Sequence, residues 1–125
     1  MEPAKLNKIK KAFARQGGII DQSADAQAYL RLRGAEGVTF DSKTILLPEN
    51  TTISAVFEEF IHTAQHRTGR VNQLIEAFGN VKAELILEIE AAEKLIRHRK
   101  AYHIPPIETR QTIQRLKLLR QAFGR

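Results

Sequence analysis

The chain has 125 residues, 42% hydrophobic and 27% charged, a size and composition that suit one globular domain with a single core. It holds no apolar run of about 18 residues to cross a bilayer, no secretory-type apolar stretch in the opening MEPAKLNKIKKAF, and no cysteine for disulfides or thiolate metal sites. Twenty Lys and Arg against fourteen Asp and Glu leave a charge of +6, which suits a polyanionic partner such as RNA, DNA or an acidic protein.

Taken in order, Leu6, Ile9 and Phe13 recur at helical spacing after Pro3 and stop at Gly17-Gly18. GIID reads as a short strand. SADAQAYLRLR reads as a helix capped by Ser23 and closed by Gly34, although YLRLR alternates and also fits a strand. GVTFDSKTILLP predicts a hairpin, two β-branched runs around Asp41-Ser42-Lys43 that end at Pro48.

A helix is predicted from Asn50 or Thr51 to near Gly69, with Ile53, Val56, Phe57, Phe60, Ile61 and Ala64 as a continuous apolar stripe. A long helix is expected from about Val81 to Tyr102, halted by Pro105-Pro106. Val81, Leu85, Ile89, Ala92 and Ile96 define its main core face. The last helix runs from Ile107 to Phe123 on an apolar line of Ile113, Leu116, Leu119 and Phe123. The expected class is α+β: an N-terminal helix, a small antiparallel sheet, then three helices, all in one domain over residues 1–125.

The chemistry concentrates in VFEEFIHTAQHRTGR. At about 100° per residue, Glu58, His62 and Gln65 share one line of the helix, and Glu59 and His66 a neighbouring one. Side chains four residues apart stack one turn above the other, the spacing metal ligands need. A third ligand has to come from elsewhere. Glu88, at the edge of the core face of VKAELILEIEAAEKLI, is the first candidate, because a carboxylate there needs a partner; Glu84 and Glu93 follow. Glu90 with Lys94 reads as an ordinary surface pair. A histidine beside an apolar stripe is often structural, and that reading stands open for His66. His98, Arg99, Tyr102 and His103 read as basic surface, weakly suited to phosphates. A lone Glu59-x-x-His62 falls short of a di-iron bundle, which takes two such motifs and two further glutamates.

Residues 34–66, a hairpin leading into a helix with E-E-x-x-H-x-x-Q, resemble the minimal zincin-like core found among C-terminal toxin domains of bacterial polymorphic and contact-dependent toxins. The following EIEAAEKLIRHRKAYHIPPIETRQTI resembles the helical continuation of such domains. The resemblance implies that Glu58 stands where the first zinc histidine would, that His62 is the second ligand, and that a glutamate of the next helix is the third. Glu59 would be the general base and Gln65 would orient a ligand. A carboxylate at Glu58 shifts preference from zinc toward manganese, iron or magnesium. The expected function is therefore a toxin effector hydrolase using one divalent metal (zinc, manganese or iron). It would be delivered as part of a larger secreted protein, act in the target-cell cytoplasm, and be restrained by an acidic immunity protein. The alternative is a metal-independent ribonuclease, with His62 or His66 and Glu59 as acid–base pair and Arg67, Arg70 and Arg110 on the phosphate. A non-enzymatic binding module is third. On either enzymatic reading His62→Ala should abolish activity at a cost of no more than about 1 kcal/mol, as for a residue off the core.

Overall fold

The computed structural model describes residues 1–124 and leaves Arg125 outside. Helix α1 (Pro3–Arg15) starts on Pro3 and buries Leu6 and Phe13. It stops at Gly17, whose φ of 81° suits glycine. Gly18 then lies under the Phe13 ring, where a Cβ would sit 2.5 Å from ring carbons. Strand β1 (Ile19–Asp21) follows, then α2 (Ala24–Arg33), in which YLRLR is helical. The Ser23 hydroxyl accepts a hydrogen bond from the Ala26 N–H at 3.2 Å, and Gly34 closes the helix in the left-handed conformation. Strands β2 (Val38–Thr39) and β3 (Thr44–Leu46) form the expected hairpin, with the Asp41 carboxylate accepting from the Lys43 N–H in its turn.

The sheet departs from the antiparallel expectation. Its order is β1-β3-β2, and β1 runs parallel to β3 in the register Ile19↔Thr44, Ile20↔Ile45, Asp21↔Leu46. The sheet is mixed because β2 starts level with Asp21, where β1 ends, and the hairpin then turns the chain so that β3 runs alongside β1 in the same direction. The class remains α+β.

Helix α3 (Ile53–Arg67) is capped by Thr52, one residue beyond the expected cap, whose hydroxyl accepts from the Ala55 N–H at 3.1 Å. One side of α3 joins a core of Leu6, Phe13, Ile45, Leu47 and Val56, where Phe13 and Phe60 meet edge to face at 5.0 Å. The other side packs Ile61 on Ala91, Leu95 and Ile104, and stacks Phe57 on Tyr102 at 4.2 Å. A smaller cluster of Ala26, Leu30 and Leu46 closes the far end of the sheet.

Helix α4 (Arg70–Arg97) begins far before Val81 and ends before Tyr102, with a break at Gly79. Its buried residues are Leu74, Ala83, Ala91, Ala92 and Leu95, whereas Val81 is 76% exposed. The core face is thus an alanine face, rotated from the one the bulky residues suggest. Small side chains let α4 approach α3 closely. Helix α5 (Pro106–Phe123) returns along α4, and its Glu108 carboxylate accepts from the Ser54 N–H at 2.9 Å, capping the start of α3. Among the described residues no helix is long and apolar enough to cross a membrane.

Candidate functional site

The helix α3 arc left over by the two apolar contacts carries Glu58, Glu59, His62 and Gln65 into a cleft of about 880 Å³. Residues 33–39 form one wall, α4 another, and α5 closes the end through Thr112 and Arg115.

Glu58, His62 and Glu88 come together as the helical spacing predicts. Each offers a ligand atom, and the three atoms lie within 4.8 Å of one another, so the group could hold a metal ion. His62 Nε2 stands 3.8 Å from a Glu58 oxygen and 3.2 Å from a Glu88 oxygen. Glu88 reaches this point because it lies in line with Leu95, on the alanine face. Glu84 lines the cleft higher up, and Glu93 faces Arg120 at 3.7 Å, outside it.

Gln65 fixes the imidazole. Its amide nitrogen donates to the Leu87 carbonyl at 3.1 Å, which can only accept, so its oxygen faces His62 Nδ1 at 2.7 Å. Nδ1 therefore carries a proton, and Nε2 is the atom turned to the two carboxylates. The second ring nitrogen of a metal-ligating histidine is held in just this way.

Glu59 sits beside this group yet is 6% exposed. The Thr39 hydroxyl donates to its Oε1 at 2.8 Å and lies 3.1 Å from its main-chain carbonyl. Gly37 makes room for it: a Cβ there would come within 2.9 Å of the carboxyl. Burial pushes the Glu59 pKa up to about 7; the charge of His62 opposes this and that of Glu58 adds to it. His62 moves the other way from what its burial alone would cause, since hydrogen bonds with Glu58 and Glu88 push it up to about 11. Glu58 is buried too, but His62 and Arg115 more than offset that and lower its pKa.

Arg115 was not singled out from the sequence, where it is one cation in a basic run. It donates from Nη1 to Glu58 Oε2 at 3.0 Å, and its Nη2 lies 2.8 Å from Oε1. Nη2 is close but poorly aimed, and with Nε it has no well-directed acceptor. The available signal was its position on the α5 wheel, next to Leu119 at the edge of the inward arc that holds Thr112 and Leu116. Thr39 and Gly37 gave no signal, because their role follows from where the hairpin meets α3.

His66 lines the cleft without joining the cluster; partial burial lowers its pKa, Asp41 opposes and His62 adds. The three arginines expected on a phosphate do not converge. Arg67 and Arg110 are exposed away from the cleft, and Arg70 pairs with Glu90 at 2.7 Å in a separate depression. Glu90 thus takes Arg70 as its partner. His98 and His103 lie on the exposed turn after α4.

No family model, curated protein or solved structure matches this chain.

Proposed function

We propose that the cleft is the site of a metal-dependent hydrolase. The orientation of His62 carries this reading. An Nε2 lone pair facing two carboxylates is repulsive unless a cation stands among them. In the ion-free protein a proton meets that need, in keeping with a pKa of about 11. One imidazole and two carboxylates are equally a ligand set for a divalent ion, with Gln65 behind the imidazole and Arg115 behind Glu58. Such an ion would acidify water and polarise a carbonyl or phosphoryl oxygen. Glu59 adjoins the cluster with a pKa near neutrality, so it can take a proton from water and return it to the leaving group. Thr39 and Gly37 hold its carboxyl in place.

The ribonuclease alternative is weaker. His62 has both ring nitrogens engaged and stays protonated at neutral pH, so it cannot serve as base. Glu36, Glu58, Glu84 and Glu88 outnumber Arg33 and Arg115 along the cleft, which disfavours a phosphodiester.

The resemblance of residues 34–66 to toxin domains supports a biological setting. In it the hydrolase is an effector, delivered as part of a larger protein into the cytoplasm of a target cell. A cognate acidic immunity protein, matched to the charge of +6, would restrain it. Elemental analysis of protein purified without chelator, together with growth of cells expressing it, tests both statements. Near-stoichiometric zinc, manganese or iron is expected, with growth arrest relieved by His62→Ala and by Glu59→Gln. Metal-free protein that still arrests growth would overturn the metal reading, and unimpaired growth at high expression the toxin setting.

A further inference from the structure

Gly79 interrupts α4 with φ 81° and ψ 173°, a backbone region open essentially to glycine alone. At the start of the same helix Gly69 has φ 79°. A Cβ at either position would meet nothing within 4 Å, so close packing does not explain these glycines; the backbone turns do. Residues 70–78 form a short helical segment between these two turns. Leu74 is its buried anchor, and every residue from 75 to 82 is exposed. The Arg70–Glu90 ion pair ties its beginning to the second half of α4.

This segment also forms part of the cleft. Val71 and Ile75 line it together with Ala83 and Leu87, an apolar wall facing the polar floor of Glu58, Glu59 and His62. Ile75 is 38% exposed. Apolar side chains at the mouth of a charged cleft are hydrated at a cost that contact with an apolar group removes.

We propose that residues 70–78 are a glycine-hinged lid that closes over the cleft and holds an aliphatic group of the substrate against Val71 and Ile75. This rests on the metal-dependent hydrolase reading. Closure would cover Ile75 and exclude bulk water from the cleft. The lid makes the cleft selective for a substrate whose reacting bond lies beside an aliphatic chain, either an amino-acid side chain or an acyl chain.

Binding of hydroxamates to the Zn2+-loaded protein, followed by calorimetry, tests the lid without any known substrate. A hydroxamate chelates the ion and leaves its chain to explore the wall. In one arm the chain is a straight acyl group lengthened from acetohydroxamate; in the other it is the side chain of glycine, alanine, valine and leucine hydroxamates. For the wild type, affinity should rise about three- to fourfold per methylene in at least one series. The series with the steeper rise identifies the source of the aliphatic group. Ile75→Ser should flatten the rise, falling furthest below the wild type for the longest chains. Gly79→Ala should do the same, because alanine cannot hold the Gly79 backbone without strain and the segment leaves the cleft. Equal slopes in wild type and variants, or no dependence on chain length, would overturn the lid. A wild type that binds neither Zn2+ nor Mn2+ would instead overturn the hydrolase reading, and the lid with it.

Discussion

The two sides of α3 differ in kind. Toward the sheet and α1, Val56 and Phe60 meet Leu6, Phe13, Ile45 and Leu47 in a wholly apolar cluster. On the arc facing the cleft, the same helix turns Glu58 and His62 against Glu88 and Arg115, with Gln65 behind His62 and Glu59 held by Thr39. The first side is held by burial and the second by a set of compensating charges. Burial is indifferent to pH and ions, whereas the charge set depends on both. One helix thus supplies a rigid support and the reactive groups it supports, and the two functions should separate on mutation.

The largest expected effect lies on the apolar side. Phe13→Ala should cost about 3–5 kcal/mol through the cavity it leaves beneath Phe60 and Gly18, seen as a large fall in denaturation midpoint at every pH. Activity should be lost only as the protein unfolds. A small, pH-dependent loss would mean that the two sides are not distinct.

His62→Ala comes next, and here the structure revises the expectation from sequence. The side chain is 13% exposed and bridges Glu58 and Glu88, so its loss leaves two carboxylates facing each other. In chelator the cost should be roughly 1.5–3 kcal/mol, more than for a residue off the core. The sign with pH follows from a folded pKa raised from 6.5 to about 11. The stabilisation is complete below pH 6.5 and is lost as pH rises through 11, so the gap between wild type and variant should narrow in alkali. Urea titrations at pH 6 and pH 10 measure it, and a gap of equal size at both would contradict the ion-pair account.

Glu59→Gln should be gentler and of opposite sign. The folded pKa of Glu59 is raised from 4.5 to about 7, so its stabilising proton is held in full below pH 4.5 and lost as pH rises through 7. Glutamine keeps the volume and can accept from Thr39 without ever becoming charged. The variant should match the wild type near pH 5 and exceed it by about 1–3 kcal/mol at pH 8, while losing activity. Parallel melting curves at the two pH values would show otherwise. Arg70→Ala should change least, leaving the melting temperature of the metal-free protein where it was, since its pair with Glu90 is solvated.

What could be read from the sequence follows the same division. Periodicity found the α3 stripe, the hairpin, and the caps Ser23 and Gly34, because each is written within a few neighbouring residues. It put Glu58, His62 and Gln65 on one line for the same reason. The parallel pairing of β1 with β3 joins residues more than twenty apart and has no local trace. The face of α4 was misplaced because bulky residues outweigh alanines on a wheel, while in the structure the alanines decide how closely α3 can approach. Residues 70–80 lacked a helical pattern because the segment buries little and Gly79 interrupts it. Arg115 was missed since a cation on a basic helix looks solvated until its carboxylate partner is known.

The central claim is that Glu58, His62 and Glu88 form one cation site, and calorimetric titration of the chelator-stripped protein with Zn2+ and with Mn2+ tests it most directly. One ion should bind per chain, with an enthalpy that varies with buffer because the His62 proton is released. His62→Ala and Glu88→Gln should abolish binding, and Glu59→Gln should retain it. No binding to the wild type, or binding that survives both ligand substitutions, would contradict the account.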